Sequence, residues 1–166
     1  MVDSTDPDPR ITDLSSIEPE NFKFRNTQFL RADGHHYDNP HDESFLEQRR
    51  EIWRVRNGDI ERVLEEFPTD RPLPEQCALW IHALVGKHFF PDANHRTAIV
   101  TLRKLLRDNG IKPGAWSTER VKRVRSESHD VRREIPPIHL DGLYEEDELY
   151  RVWLQFFCEV LPEEYR

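Results

Sequence analysis

An apolar segment that begins after Pro72 and Pro74 restricts the fold of this chain more than any other feature. Its apolar residues lie so close together that a helix formed there would have no polar face: Cys77, Leu79, Trp80, Ala83, Leu84 and Val85. Charged residues make up 34% of the chain, so such a helix is best placed at the centre of a packed domain, away from water. We therefore predict a domain built around one buried central helix.

The other strong patterns along the chain are also helical. The last one is amphipathic, with apolar residues every three or four positions at Leu149, Val152, Trp153, Phe156, Phe157, Val160 and Leu161. A helical pattern starts near Asp42 and is interrupted at Gly58, and another runs from Glu119 to Arg133. Residues 22–42 give mixed signals that suit a loop or a hairpin. The sequence thus predicts an all-α fold with at most one short β-hairpin.

At 166 residues the chain is most simply a single domain, long enough to bury a substantial core. Residues 1–20 carry Pro7, Pro9 and Pro19 among Asp, Ser and Thr, a composition typical of a disordered or extended leader. We therefore divide the chain into a leader over residues 1–20 and one domain over residues 21–166.

The composition disfavours two classes of partner. The net charge is −8, whereas nucleic-acid surfaces need clustered Lys and Arg, so we expect no nucleic-acid partner. No apolar run approaches the roughly 20 residues that span a bilayer, and the N-terminus is acidic where a signal peptide is basic. We therefore expect a cytoplasmic protein with no membrane partner. Cys77 and Cys158 fall at apolar positions of helical patterns, so we interpret both as small buried hydrophobic residues.

The densest group of reactive side chains lies in residues 88–96, His-Phe-Phe-Pro-Asp-Ala-Asn-His-Arg, between two helical patterns. His88 ends the central helix, where a histidine serves either as a helix-terminal cation or as a proton acceptor. Asp92 is either the N-cap of the next helix or a ligand for Mg²⁺. That helix starts at Asn94, so its unpaired backbone N–H groups favour an anion, and Arg96 adds a charge suited to phosphate. Such a turn can hold a base, a metal ion and a phosphate around one small cavity.

Residues 88–96 closely resemble the signature H-x-F-x-(D/E)-(A/G)-N-x-R of the Fic/Doc family, and the resemblance extends from Gln76 to Ile111. Members of this family are helical bundles that move a phosphate-containing group from a nucleotide to a hydroxyl of a target protein. The resemblance implies that ATP and Mg²⁺ are the cofactors and that His88 is the catalytic general base. It further implies that Asp92 holds the metal and that four residues bind the nucleotide phosphates: Ala93, Asn94, His95 and Arg96.

Two positions separate this chain from the AMP-transferring branch of the family, whose pattern resembles H-P-F-x-x-G-N-G-R-x-x-R. His95 stands at the second glycine and Ile99 stands at the last arginine. A side chain at position 95 crowds the backbone approach that a glycine leaves open for phosphates, and the missing arginine removes a guanidinium contact. The Doc (death-on-curing) branch is similar to this chain in both respects, although lysine is its best-known residue at position 95. Doc proteins are kinases that transfer the γ-phosphate of ATP.

The resemblance to Doc implies a toxin that phosphorylates a Ser or Thr hydroxyl of a target protein, with a translation elongation factor as the family precedent. It also implies a separate antitoxin protein as the inhibitor. Two alternatives stay open: a Fic-type protein adenylyltransferase with the same fold, and a non-catalytic interaction module that kept the turn. The combination of base, carboxylate, amide and guanidinium disfavours the module, since a protein that only binds has no use for a base and a metal ligand.

Two segments before the motif also match family features. Residues 28–41 correspond to a flap that aligns the target segment in the family, and the histidines within it lack the spacing of a standard zinc site. Residues 16–21 fit the pattern (S/T)-x-x-x-E-(G/N) of an inhibitory helix, with Ser16 first and Glu20 as the glutamate. In the family that glutamate pairs with the last motif arginine. Ile99 occupies this position here, so we interpret the match as chance.

Overall fold

The fold is a bundle of α-helices, seen in a computed structural model that describes residues 8–30 and 43–166. Seven α-helices occur in this part of the chain: α1 (Pro19–Leu30), α2 (Glu43–Arg54), α3 (Asn57–Glu65), α4 (Leu73–Ile81), α5 (Asn94–Asp108), α6 (Thr118–Glu134) and α7 (Glu148–Val160). A π-helical turn, His82–Gly86, extends α4 toward the motif, and 3₁₀ turns occupy Leu140–Gly142 and Glu163–Tyr165. The described residues contain no β-strand, which confirms the predicted all-α class.

Helix α4 lies at the centre of the bundle, as predicted. All of its residues except Glu75 are buried, and α7 packs along it more extensively than any other helix does. The amphipathic pattern of α7 is also confirmed, because Leu149, Trp153 and Phe157 are fully buried on one side of it. Helix α6 packs on α7, while α1 and α4 both pack on α5. These contacts fix α5, which follows the motif, and α6, which lies against it in space, on a core formed by α4 and α7.

Local hydrogen bonds set the ends of the helices near the motif. Ser117 caps α6 by accepting a hydrogen bond from the backbone N–H of Arg120 at 3.2 Å, and α6 lies within one residue of its predicted limits. Helix α5 ends in a Schellman-type turn, in which the Ile111 N–H donates to the Leu106 carbonyl at 2.9 Å. Gly110 has a φ of 72° in this turn, a left-handed conformation that glycine adopts without steric cost.

The described part of the leader before α1 is irregular, with a turn at residues 15–16, and it packs against the domain. Ile11 and Ile17 are both buried in the main hydrophobic core. The side chain of Gln76 in α4 pairs with the backbone of Ile11 in both directions, because its Oε1 accepts from the Ile11 N–H at 2.8 Å and its Nε2 donates to the Ile11 carbonyl at 2.9 Å. Helix α1 then begins at Pro19, inside the segment that the sequence assigns to the leader.

The prediction that both cysteines are buried is wrong for one of them. Cys77 is fully buried in α4, but Cys158 is exposed, and neither forms a disulfide. Cys158 directly follows the buried pair Phe156 and Phe157, on the side of α7 that also exposes Glu159. The apolar density of α7 therefore conceals one solvent-facing position.

The predicted flap falls mostly outside the described residues. Residues 28–30 form the end of α1 rather than a strand, and residues 31–41, with the histidine cluster, lie beyond what the structure describes. The hairpin therefore stays a prediction. Within residues 8–30 and 43–166, no helix combines the length and the apolar character that crossing a bilayer requires.

Candidate functional site

The motif occupies an unusual turn between the π-helical turn and α5. His88 (φ 55°) and Ala93 (φ 57°) both adopt the left-handed conformation, which costs a residue other than glycine roughly 1–2 kcal/mol. Backbone of this kind persists where surrounding contacts hold it, and it concentrates at functional sites, as π-helical turns also do. The backbone thus singles out the same segment that the sequence motif singles out.

The side chain of Asn94 holds this turn together. Its Oδ1 accepts from the Phe90 N–H at 3.1 Å and its Nδ2 donates to the Phe90 carbonyl at 2.8 Å, so the orientation of the amide is fixed. The same Nδ2 lies 3.2 Å from Nδ1 of His88, which therefore accepts the hydrogen bond. A neutral His88 consequently carries its proton on Nε2. The predicted phosphate donor Asn94 is thus engaged in positioning the turn and the imidazole.

Asp92 lies at the start of α5 but is not its N-cap, contrary to one of the two roles considered for it. The N-cap is Ala93, whose own side chain makes no capping hydrogen bond. The carboxylate of Asp92 instead accepts from the Ala93 N–H at 2.7 Å, and its backbone carbonyl accepts from Nδ2 of Asn26 at 2.8 Å. The buried Asn26 also donates to Oγ1 of Thr97 at 3.0 Å, so α1 supports the motif from behind. The first backbone N–H groups of α5 lack an intrahelical partner and can donate to an anion.

His95 is packed into the interior rather than extended toward solvent. It is 4% exposed, and its Nε2 lies 2.8 Å from Oγ of Ser128, which also accepts a hydrogen bond from Nε1 of Trp153 at 3.0 Å. Burial, followed by the neighbouring His129, lowers the pKa of His95 to about 3, so its ring is neutral at physiological pH. A neutral, hydrogen-bonded ring can form one wall of a phosphate site but adds no charge to it.

Helix α6 supplies the positive charge at the cavity, a role that the sequence analysis assigned to Arg96. Arg96 is exposed and does not line the cavity in front of the motif. Arg125, His129 and Arg132 line it instead. Sequence reasoning missed these three residues, although their spacing of four and three positions places them on one face of a helix. That spacing is the one signal in the sequence that points to them. It is not sufficient, because the sequence does not specify which helix faces the motif.

The cavity itself is small and cationic. It has a volume of about 70 Å³ and is lined by Val85, His88, Asp92, Ala93, Asn94, His95, Arg125, His129 and Arg132. Among the described residues, two guanidinium groups face one carboxylate there, and the N-terminus of α5 adds partial positive charge. The chemistry of this lining suits a small anion such as a phosphate group.

His88 stands exposed at the edge of the cavity. Loss of solvent around part of its ring, and next the charge of Arg132, lower the pKa of His88, while Asp92 opposes them. The imidazole is therefore neutral near pH 7 and can accept a proton. The site thus combines a proton acceptor with an anion-binding cavity at one helix terminus.

Comparisons of the chain with protein-family models, with curated proteins and with solved structures found no match. The resemblance to the Fic/Doc family therefore depends on the sequence of residues 76–111 alone. Of the six site residues that the sequence predicts, the structure places five around the cavity: His88, Asp92, Ala93, Asn94 and His95. Arg96 is the exception.

Proposed function

We propose that this protein is a Doc-like kinase, which transfers the γ-phosphate of ATP to a Ser or Thr hydroxyl of a target protein. The observation that carries the proposal is that His88, a neutral proton acceptor, shares one cavity with two arginines and the N-terminus of α5. Phosphoryl transfer needs little more from a protein than positioning, charge stabilisation and a base for the attacking hydroxyl.

The size of the cavity favours transfer of a terminal phosphate. Pockets that enclose drug-sized ligands have volumes of about 300–1,000 Å³, so the cavity of about 70 Å³ suits a phosphate group rather than a whole nucleotide. The γ-phosphate is substituted on one side, whereas the α-phosphate carries the ribose on one side and the diphosphate on the other. Transfer of AMP therefore needs space on both sides, and His95 forms a wall of the cavity where the AMP-transferring branch has a glycine.

The proposed reaction moves one proton and one phosphoryl group. The target hydroxyl approaches Nδ1 of His88 and replaces the Asn94 amide as the hydrogen-bond donor to that nitrogen. As the hydroxyl oxygen bonds to the γ-phosphorus, its proton passes to Nδ1, and the bond between the γ-phosphorus and the bridging oxygen breaks. ADP leaves with the bonding electron pair. The guanidinium groups stabilise the charge that spreads over the transferred phosphoryl oxygens.

The residues present also fit a magnesium ion, provided that the nucleotide is bound. Asp92 is the one carboxylate among the described residues that line the cavity, and Mg²⁺ prefers one or two carboxylates together with phosphate oxygens and water. The described residues contain no group of three His, Cys, Asp or Glu side chains that would hold a metal ion without help. Bound Mg²⁺ would neutralise phosphate charge, and Asp92 would orient it.

The partners follow from the resemblance and the location follows from the composition, and both are part of the same proposal. They are a target protein such as a translation elongation factor, a separate antitoxin, and a cytoplasmic location. A Fic-type adenylyltransferase is the second candidate, because it requires the same base and the same helix terminus.

Labelling with radioactive ATP tests the proposal. We expect the purified protein to transfer label from γ-³²P-ATP, and not from α-³²P-ATP, to a purified elongation factor or to a protein in a cell extract. The variant His88→Ala should lose transfer, whereas His139→Ala, a change at an exposed histidine away from the cavity, should keep it. Transfer of the α-label would reverse the assignment to AMP transfer. A folded protein that transfers neither label supports the interaction module instead.

A further inference from the structure

We propose that α6 forms an anion clamp, in which Arg125 and Arg132, with His129 between them, bind the terminal phosphate in the motif cavity. The clamp takes the role that the family resemblance gives to Arg96. Which phosphate is bound rests on the proposed function. The binding of a phosphate anion as such rests on the geometry of α6 and of the cavity that it lines.

The buried Nε of Arg125 is the first argument. This atom has no hydrogen-bond partner among the described residues, although the residue as a whole is only partly buried. Burial, and next the charge of Arg96, lower the pKa of Arg125, while the charge of Asp92 opposes them. A buried polar atom without a hydrogen bond is costly, and proteins ordinarily pair it. A phosphate in the adjoining cavity would give this guanidinium acceptors beyond those that the described residues supply.

The second argument is that Arg132 is held in place at one end. Its Nε donates to the carbonyl of Val85 at 3.2 Å, and Val85 belongs to the π-helical turn before the motif. This contact ties the guanidinium to the wall of the cavity, where its terminal nitrogens can make paired hydrogen bonds to an anion. Arg132 therefore contributes a positioned donor rather than a flexible surface charge.

The third argument is the balance of charge around the cavity. Asp92 is the single carboxylate that lines it in the described chain, against two guanidinium groups. The ring of His129 packs on the buried ring of His95, with 4.4 Å between the centroids. A doubly charged anion of the size of phosphate would reverse the net charge of the lining and fill the space.

Binding of inorganic phosphate to the purified protein tests the clamp without requiring transfer. Isothermal titration at low salt, in a buffer free of phosphate and sulfate, should show wild-type binding that Arg125→Gln and Arg132→Gln each weaken about 10–100-fold, as expected for a lost charged hydrogen bond. The control Arg123→Gln changes an exposed arginine of α6 that lines a different groove, and it should bind as the wild type does. ATP should show the same order of affinities, whereas adenosine should not bind.

Melting temperatures separate the clamp from a structural role. Because partial burial disfavours the Arg125 cation, the unliganded Arg125→Gln variant should melt at or above the wild-type temperature, and phosphate should raise that temperature less than it does in the wild type. Wild-type phosphate affinity in both clamp variants, an equal loss in Arg123→Gln, or no phosphate binding by the wild type would each overturn the clamp.

The clamp and the proposed function can fail separately. Arginine-dependent phosphate binding without any transfer from ATP would leave the clamp standing and reject the kinase. Full transfer by both clamp variants would reject the clamp and leave the kinase standing.

Discussion

Replacement of Asn94 by alanine tests the structural basis of the site most directly. The Asn94 side chain is 6% exposed and satisfies both backbone polar groups of Phe90, at 3.1 and 2.8 Å. Phe90 itself is 2% exposed, so both groups would be left buried without a partner. Each such group costs roughly 1–3 kcal/mol, and with partial rescue by water we expect Asn94→Ala to lower the free energy of unfolding by about 2–4 kcal/mol.

Urea unfolding at 25 °C, followed by circular dichroism, measures this loss. The matched control is Asn57→Ala, because Asn57 is exposed and donates one hydrogen bond to Glu20 at 2.9 Å. That change should cost less than about 1 kcal/mol. In a chain of this size a loss of 2–4 kcal/mol corresponds to a fall in Tm of roughly 5–15 °C. If Asn94→Ala were no less stable than Asn57→Ala, the amide could not be what holds the turn. The assignment of the His88 proton to Nε2, which depends on the same amide, would then be rejected.

Three further predictions concern the metal, the acid stability and the packing of the chain. Asp92→Asn should raise the Mg²⁺ concentration that gives half-maximal transfer, because it removes a carboxylate ligand. Its Tm should change little, because an asparagine oxygen still accepts the Ala93 N–H. An unchanged Mg²⁺ titration would argue against Asp92 as a ligand. Burial lowers the pKa of His95 to about 3 from 6.5 in the unfolded chain, so the unfolded state takes up a proton first and stability should fall as the pH drops from 7 toward 4. His95→Gln should reduce that slope by up to about 1.4 kcal/mol per pH unit in urea titrations, and an unaltered slope would contradict the lowered pKa. Gly114→Ala should cost more than about 2 kcal/mol, because φ is 84° and the new Cβ would lie 2.7 Å from the Val160 carbonyl oxygen. In Gly110→Ala the new Cβ meets no atom within 4 Å, so this variant should cost only the left-handed strain of about 1–2 kcal/mol. Similar losses for the two variants in urea unfolding would refute the steric argument.

Periodicity was sufficient to predict most of the helices, and its one clear failure has a physical cause. The segment that forms α1 gave mixed signals because its polarity does not match its burial. Lys23 and Asn26 are buried, whereas Phe24 is 56% exposed. Lys23 donates to the Trp53 carbonyl at 3.3 Å, and Asn26 bonds to the motif turn. Tertiary hydrogen bonds thus make polar residues part of the interior, and no apolar periodicity remains to mark the helix.

The motif predicted which residues gather at the site but not what each one contacts. The nine residues are contiguous, so local geometry alone brings His88, Asp92 and Asn94 together. The contribution of α6 depends on how that helix packs against α7, which a single sequence does not specify. The left-handed conformations of His88 and Ala93 were equally inaccessible, since neither residue is glycine and no turn rule demands them.

The attachment of the leader has a consequence for the order in which the protein folds during synthesis. Ile11 is held by Gln76, 65 residues later, and the backbone N–H of Asp13 donates to Oδ1 of Asn109, 96 residues later. Neither partner exists when the leader emerges from the ribosome, and closing loops of this length carries an entropic cost that only the finished binding surface repays. Residues 11–13 are therefore made before their partners and are among the last to be secured. A ribosome stalled before residue 109 would display this segment unanchored, open to proteases until the C-terminal end of α5 has been synthesised.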